Sequence, residues 1–448
     1  MSARSRAALN KSSAHFYRVS GPDLLGRTEP YLKWQEARLE TDLWPYSKTL
    51  ASAPCAITEA ADEFGHIEAG INFASQDYLS LSSHPRIVEA AIRALRDFGA
   101  HSAGSPMLMG NTTLSDSLQQ ALAEALETEH VLLFPSGWGA GFGVITALVR
   151  QDDYVVLDHL AHACLQQGAA AATNNVLRHE HLDIESIEGH LRAIRGRDRK
   201  NGILVVTEGL FSMDSDSPDI ARLQDLCHRY GATLMVDVAH DFGSLGPGGG
   251  GQLAIQSMLG KVDLVMGAFS KTFASNGGFV ATHSAAVKQY IKVYGGPHIF
   301  SNALSPMQAA VVQEALRIVR SPEGDTLRAC LMTAIESLRA AFPEYGLRCI
   351  GDPSPIVPVP IGSEKIARAA SGILFRRGVF ANLVEFPAVG IGSARFRMQV
   401  MANHTPDQIR IAAREVSAAI RDAENAVESP EPVFAVVRQP VTRTDNRP

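Results

Sequence analysis

Three apolar runs fall close together between residues 202 and 278: GILVVTEGLFSMDSD (202–216), ATLMVDVAH (232–240) and KVDLVMGAFSKTFASNGG (261–278). Each is short, rich in β-branched residues and bounded by glycine or polar residues, the pattern of a buried strand. Each also ends in polar side chains: Ser212 after the first, Asp237 and then His240 after the second, Lys271 after the third. Ligands of open α/β sheets collect at the carboxyl ends of the strands, and that is where these four residues fall.

An acid, a histidine and a lysine on successive strand ends are what pyridoxal 5'-phosphate (PLP) requires of a protein. The amine of Lys271 can form a Schiff base with the cofactor's aldehyde. The carboxylate of Asp237 beside the ring nitrogen would keep that nitrogen protonated. His240 can hydrogen-bond the phenolic oxygen and hold the ring plane. Taken alone, a lysine after a strand reads as a solvated loop residue; the triple arrangement points to the cofactor instead.

Outward from this stretch, apolar strands alternate with helical patterns: VLLFPSG, a helix from about 138 to 149, YVVLD, a helix around 162–172, NNVLRH, and helices near 184–195 and 218–230. That rhythm predicts a mostly parallel sheet with crossover helices, with GGFVATH turning back antiparallel beside Lys271. Before it, a helix is expected over 29–46, ended by Pro45, and INFASQDYLSL reads as a strand entering a turn. After it, a long helix near 325–341, strands LRCI and IVPVPI, a helix at 364–377, GVFANLVE, ARFRMQV and a last helix near 406–426 form a compact α+β unit. The expected division is an N-terminal segment (1–70), a large PLP-binding domain (71–321), a C-terminal α+β domain (322–427) and a Pro-rich flexible tail (428–448).

The 448 residues are 46% hydrophobic and 20% charged, ordinary for a globular enzyme-sized chain. The net charge of −6, from 41 basic and 47 acidic residues, gives no footprint for nucleic acid or an anionic membrane. Five scattered cysteines without a CxxC suggest neither a disulfide framework nor a zinc ribbon, so a reducing, cytoplasmic setting fits. No run approaches the roughly 18 apolar residues of a membrane span. The opening MSARSRAALNKSSAHF lacks the core of a secretory signal; it is faintly similar to a transit peptide and is read as a disordered end.

Two more places carry chemistry. In FPSGWGA the strand runs through Ser136, Gly137 and Trp138 into a helix, which suits a phosphate at a helix N-terminus. Alone, such a turn is an ordinary cap. DHLAHACL offers His159 and His162 past YVVLD; a metal pair with Cys164 is one reading, but three crowded ligands without a fourth make a poor zinc site. His162 lying flat on the cofactor ring is the reading adopted, and HEH at 179–181 is taken as a solvated strand end. SARFRMQV sends Arg395 and Arg397 from one face of a strand, where one guanidinium can clamp a substrate carboxylate or both can be surface charges.

Together FASQDYLSLSSHP, FGAHSAGSPMLMGNT, FPSGWGA, DHLAHACL, TEGLFSMDSDS, VDVAHDFGSLG, GAFSKTF followed by GG, IFSNALSP and ARFRMQVMANHT resemble the α-oxoamine synthases, from about Asn72 to about Ile420. The resemblance implies an α/β fold of PLP fold type I: a large domain with a mostly parallel seven-stranded sheet and a smaller α+β C-terminal domain. It implies Lys271 as the Schiff-base lysine, Asp237 at the ring nitrogen, His240 at the phenolic oxygen, His162 stacked on the ring and Ser212 near it. The turn at 136–138 would hold the phosphate or ring edge, and Arg395 the amino-acid carboxylate. Members of this family are homodimers with shared sites, so Ser301 and Asn302 would reach the partner's phosphate. The sequence departs from the family at Ala268, where a phosphate-binding Thr is frequent, so that Ser270 or Thr272 would substitute, and also at Pro106, Ser115 and Gln76. SGW, KTFA and IFS resemble the autoinducer-synthase branch, and the loop with GNT the serine palmitoyltransferase-like enzymes.

The reaction so implied joins an α-amino acid to an acyl thioester, carried by coenzyme A or a carrier protein, with loss of carbon dioxide, Lys271 acting as base. A PLP aminotransferase would share the lysine and aspartate; pyridoxamine phosphate formed from amino acid alone would mark it. A non-catalytic subunit of a heterodimer is the other alternative, and would bind no PLP.

Overall fold

The computed structural model describes residues 8–428, so the expected tail beyond Glu428 and the first seven residues lie outside the described residues. In chain order the strands are β1 (Thr49–Leu50), β2 (Ile57–Ala61), β3 (Ile67–Phe73), β4 (His130–Phe134), β5 (Tyr154–Asp158), β6 (Asn175–His179) and β7 (Ile203–Glu208). They continue with β8 (Thr233–Asp237), β9 (Leu264–Ala268), β10 (Gly278–Thr282), β11 (Ile356–Gly362), β12 (Val379–Val384) and β13 (Ala394–Gln399). Contacts divide the chain into two units.

The larger unit comprises Gln76–Ser212 and Asp216–Cys330. Its seven-stranded sheet has the order β4-β10-β9-β8-β7-β5-β6. Only β10 runs antiparallel to its neighbours; the others are parallel, with crossover helices such as Gly137–Leu148 and Ala163–Ala172. Every residue of β5 and β7 is buried, which is why these strands read as continuous apolar runs rather than alternating ones. Phe134, Val144, Leu157, Val206, Met235 and Met266 meet in one core. The β9–β10 turn expected at the glycine pair is present, with Gly278 opposite Ala268. Gly277 serves that turn at φ +112°, and a Cβ there would stand 2.8 Å from Leu304.

The smaller unit holds residues 8–75, 213–215 and 331–428. Its six-stranded sheet has the order β1-β2-β3-β12-β13-β11. The boundary expected at residue 70 runs through β3, and residues 49–73 supply three strands to the sheet completed by the C-terminal stretch, through the parallel pairing of Ile71 with Val379. The division falls after Cys330 rather than at 322, inside the helix Pro322–Glu344.

Two expected elements differ. The helix from Glu29 stops at Leu39, not at Pro45, because Asp42 takes a left-handed φ of 56° and Leu43 N–H closes back on Arg38 O at 2.8 Å. LRCI (347–350) is not a strand. The guanidinium of Arg339 takes the Ile350 carbonyl and those of Gly351 and Asp352 just beyond it. Among the described residues no helix is long and apolar enough to cross a membrane.

Candidate active site

The site of the larger unit is built where β7, β8 and β9 end side by side. Asp237 closes β8 and is 6% exposed; its Oδ1 accepts the Ala239 N–H at 2.9 Å. In register with it on β7 stands Glu208, also buried, whose Oε1 accepts the His162 backbone N–H at 2.6 Å. Burial pushes both carboxyls above the usual carboxylate range, and for Glu208 the neighbouring Asp237 adds to the rise. Lys271 and His162 act on Asp237 in the opposite direction, so lysine, histidine and aspartate lie within Coulomb reach of one another.

Lys271 sits half-buried on the hairpin between β9 and β10, three residues past Ala268. The hairpin is held by Phe269 N–H to Gly277 O at 2.9 Å and Ser275 N–H to Phe269 O at 3.2 Å. His162 caps the helix Ala163–Ala172. Its Nδ1 accepts the Cys164 N–H at 3.3 Å and lies 3.0 Å from Cys164 Sγ, which fixes the imidazole, while Glu208 holds the His162 backbone. Trp138 meets it edge to face at 6.0 Å between centroids. Cys164 is a buried thiol pushed upward by that burial, and no group of three potential metal ligands exists among the described residues. His240, 7% exposed, lies in the turn after β8 with its Nδ1 2.9 Å from the Tyr78 hydroxyl.

The Ser136 side chain caps the helix Gly137–Leu148 by accepting the Gly139 N–H at 3.0 Å, and still has its own proton to donate. The N–H groups of Gly137 and Trp138, in the first turn, have no acceptor within the helix. A Cβ on Gly137 would stand 2.5 Å from Ala268 Cβ, so glycine is what lets this turn close on the end of β9. Position 268, the departure noted in the sequence, therefore faces the phosphate-type turn, and as alanine it supplies no hydroxyl there. Thr272 Oγ1 and Ser275 Oγ are buried with no hydrogen-bond partner among the described residues, while Ser270 is exposed. Ser212 is half-buried in the turn after β7; Ser301 is half-buried and Asn302 exposed before the helix Pro306–Val319. Ser115, another departure, is engaged in capping the helix Thr113–Leu126.

These residues fit PLP on two counts. A buried carboxylate is raised by burial and relieved by positive charge, which a ring N–H⁺ would supply. A helix N-terminus is closed against β9 by a glycine that a Cβ would obstruct.

Arg395 and Arg397 lie on β13 of the smaller unit. Arg395 is buried, and its guanidinium donates to Ser393 O, Met213 O and the Asp214 carboxylate. Arg397 is half-buried, with Nη1 3.9 Å from Met213 Sδ. Neither is a loose surface charge.

Two features escaped the sequence reading. One is Glu208, whose signal was an acid at the end of an otherwise apolar strand, in TEG. The other corrects HEH. His179 is buried, and His181 bridges Asp158 Oδ2 at 3.0 Å and Asp216 at 3.1 Å rather than standing in solvent. Burial opposes charge on His181, but the two carboxylates outweigh it and push its pKa up to about 10. A histidine raised above its ordinary value of about 6.5 contributes fully below that value, and the contribution is lost as pH rises through about 10. Thermal unfolding is expected to show stability falling over that window, by an amount on the order of 3 kcal/mol, and His181→Asn to remove the slope. A wild-type Tm that stayed flat over this range would contradict the bridge.

Comparison with known proteins agrees with the geometry. The family profile described as aminotransferase class I and II matches residues 68–416. An 8-amino-7-oxononanoate synthase from Thermoanaerobacter pseudethanolicus is 34% identical over 339 residues, 76% of this chain and 85% of that protein. One from Citrifermentans bemidjiense is also 34% identical over 339 residues, 76% of this chain and 86% of its own length. Among solved structures, a serine palmitoyltransferase from S. paucimobilis with a bound PLP–myriocin aldimine superposes with a TM-score of 0.83 at 26% identity, covering 90% of this chain and 100% of that one. The chain belongs to the class I and II aminotransferase family and, within it, to the α-oxoamine synthases, PLP-dependent acyltransferases of fold type I.

Proposed function

We propose that this enzyme condenses an α-amino acid with an acyl thioester to give an α-aminoketone, using Lys271 as its base and Asp237 as its electrostatic anchor. The observation that carries the reading is the placement of buried Asp237 at the end of β8, with Lys271 past the end of the neighbouring β9 and His162 bonded through its backbone N–H to Glu208, the residue in register with Asp237. PLP, when bound, supplies an aldehyde carbon for attachment and a ring that takes up an electron pair. Asp237 holds a proton at the ring nitrogen, and burial makes its charge act at short range without water. His162 covers the ring face, and Ser136 with the first-turn N–H groups of the following helix receives the phosphate. Lys271 Nζ removes the proton from the amino-acid α-carbon. That carbon bonds to the acyl carbon as the C–S bond breaks and the thiolate leaves to take a proton from water; the bond to the carboxylate then breaks to release carbon dioxide, and Lys271 Nζ returns its proton to the α-carbon.

The amino-acid carboxylate falls to Arg395 on β13, whose planar fork suits it. The guanidinium is held by Asp214 beforehand, so Arg395→Lys is expected to raise the amino-acid KM about 10–100-fold while leaving the thioester KM unchanged. An unchanged amino-acid KM would transfer the role to Arg397, two residues along the same face.

Two relatives by sequence carry one product's name and the superposed structure another's, and assay distinguishes the substrates. Exchange of the α-proton into heavy water, followed for each of the twenty amino acids, identifies the first substrate; acyl thioesters on coenzyme A or a carrier protein then identify the second. Exchange with none of them would overturn the reading.

A second copy of the chain is the proposed partner. Leu108 (82% exposed), Met109 (91%) and Phe300 (87%) are large apolar side chains left in water. They form adjoining loops, since Ser105 Oγ donates to Ile299 O at 2.7 Å and Ala303 N–H to Gly104 O at 2.9 Å. Ser301 and Asn302 follow Phe300 directly, so a partner covering this patch would bring them to its own phosphate site. Sedimentation equilibrium giving a monomer at micromolar concentration would contradict this.

A further inference from the structure

Tyr78 is completely buried, in a turn that its own neighbour holds shut: Asp77 accepts the N–H groups of Leu81 and Ser82, each at 2.9 Å. A phenol hydroxyl placed there needs a partner, and it finds His240 Nδ1 at 2.9 Å, with the two rings tilted at 43°. The imidazole is constrained from its own side as well. It follows β8 in a tight turn where Ala239 N–H is tied to Asp237, and the His240 carbonyl accepts from Ser244 Oγ at 3.3 Å. Two buried elements therefore meet at this hydrogen bond, and its direction bears on which imidazole nitrogen carries the proton.

A phenol is a better donor than acceptor. With Tyr78 donating to Nδ1, the proton of a neutral His240 resides on Nε2, and that nitrogen becomes a fixed donor aimed away from Tyr78. We propose that Tyr78 is a positioning residue that sets the tautomer and the orientation of His240, so that Nε2–H is the group offered to the phenolic oxygen of PLP. The inference rests on the cofactor reading of His240 given above. Tyr78 acts only through the histidine and need not touch cofactor or substrate.

Tyr78→Phe keeps the ring in the core and deletes the hydroxyl. In the holoenzyme it is expected to weaken PLP binding about 5–20-fold, the loss of one well-formed hydrogen bond acting on the cofactor contact. It should also shift the ratio of the long- to the short-wavelength absorbance bands of bound PLP at fixed pH. In a His240→Gln background the same change should do neither, because the residue it acts through is gone. Equal affinity and spectrum in wild type and Tyr78→Phe overturn the proposal, and so do effects that simply add to those of His240→Gln. A readout without any variant comes from nitrogen-15 shifts of histidine-labelled protein: Nε2 protonated and Nδ1 bare supports it, and a protonated Nδ1 on a neutral ring overturns it. Wild-type protein that takes up no PLP would overturn the reading of the site itself, and this role with it; PLP bound equally by both forms removes only the role of Tyr78.

Discussion

Exchanging Lys271 for alanine is expected to leave a folded protein that no longer attaches PLP covalently and turns over at least about 10³-fold more slowly. The lysine is half-buried on a hairpin whose backbone bonds do not depend on its side chain, so unfolding temperature should hardly move. What disappears is the amine that anchors the cofactor and then moves the α-proton. Loss of the base alone accounts for about 10²–10⁴-fold, and loss of the anchor adds to it. The check is the absorbance of the PLP-loaded variant together with its rate at saturating substrates. Wild-type absorbance and full turnover would remove Lys271 from the mechanism.

The second large effect is expected at Asp237, and there rate and stability should move in opposite senses. Burial raises this carboxyl in the folded chain, so its folded pKa lies above the unfolded one and stability is lost as pH rises through it. Asp237→Asn removes that cost, so the cofactor-free protein is expected to unfold at the same or a higher temperature near neutral pH. The same substitution removes the counter-charge of the ring N–H⁺. Breaking a buried ion pair costs about 3–5 kcal/mol, which corresponds to a rate loss of about 10²–10⁴-fold. Scanning calorimetry of the cofactor-free form and initial rates of the loaded form test the pair of signs. A variant that is both less stable and fully active would contradict the assignment.

The strands that carry Asp237 and Lys271 were legible because a strand buried on both faces must be apolar throughout, and the polar residue that ends it then stands out. The helix at Gly137 and the antiparallel return at Gly278 were legible for a similar reason, since glycines mark the turns. Long-range pairing was not. The joining of β3 to β12, Ile71 to Val379, makes one sheet from the two ends of the chain, and nothing local announces it. His181 was misread because its two partners, Asp158 and Asp216, lie 23 and 35 residues away along the chain. Glu208 was passed over because an acid in a turn-like TEG looks solvated until its register with Asp237 is known. Arg395 and Arg397 were correctly placed on a strand, but sequence alone left open that Asp214 already holds one of them.

The most direct test of the central claim is a mass balance on the loaded enzyme. With a carboxyl-labelled amino acid and an acyl thioester, carbon dioxide and free thiol are measured in the same reaction. The account predicts that the two appear together in equal amounts, and only when both substrates are present. Thiol released without carbon dioxide, or pyridoxamine phosphate accumulating from the amino acid alone, would contradict it.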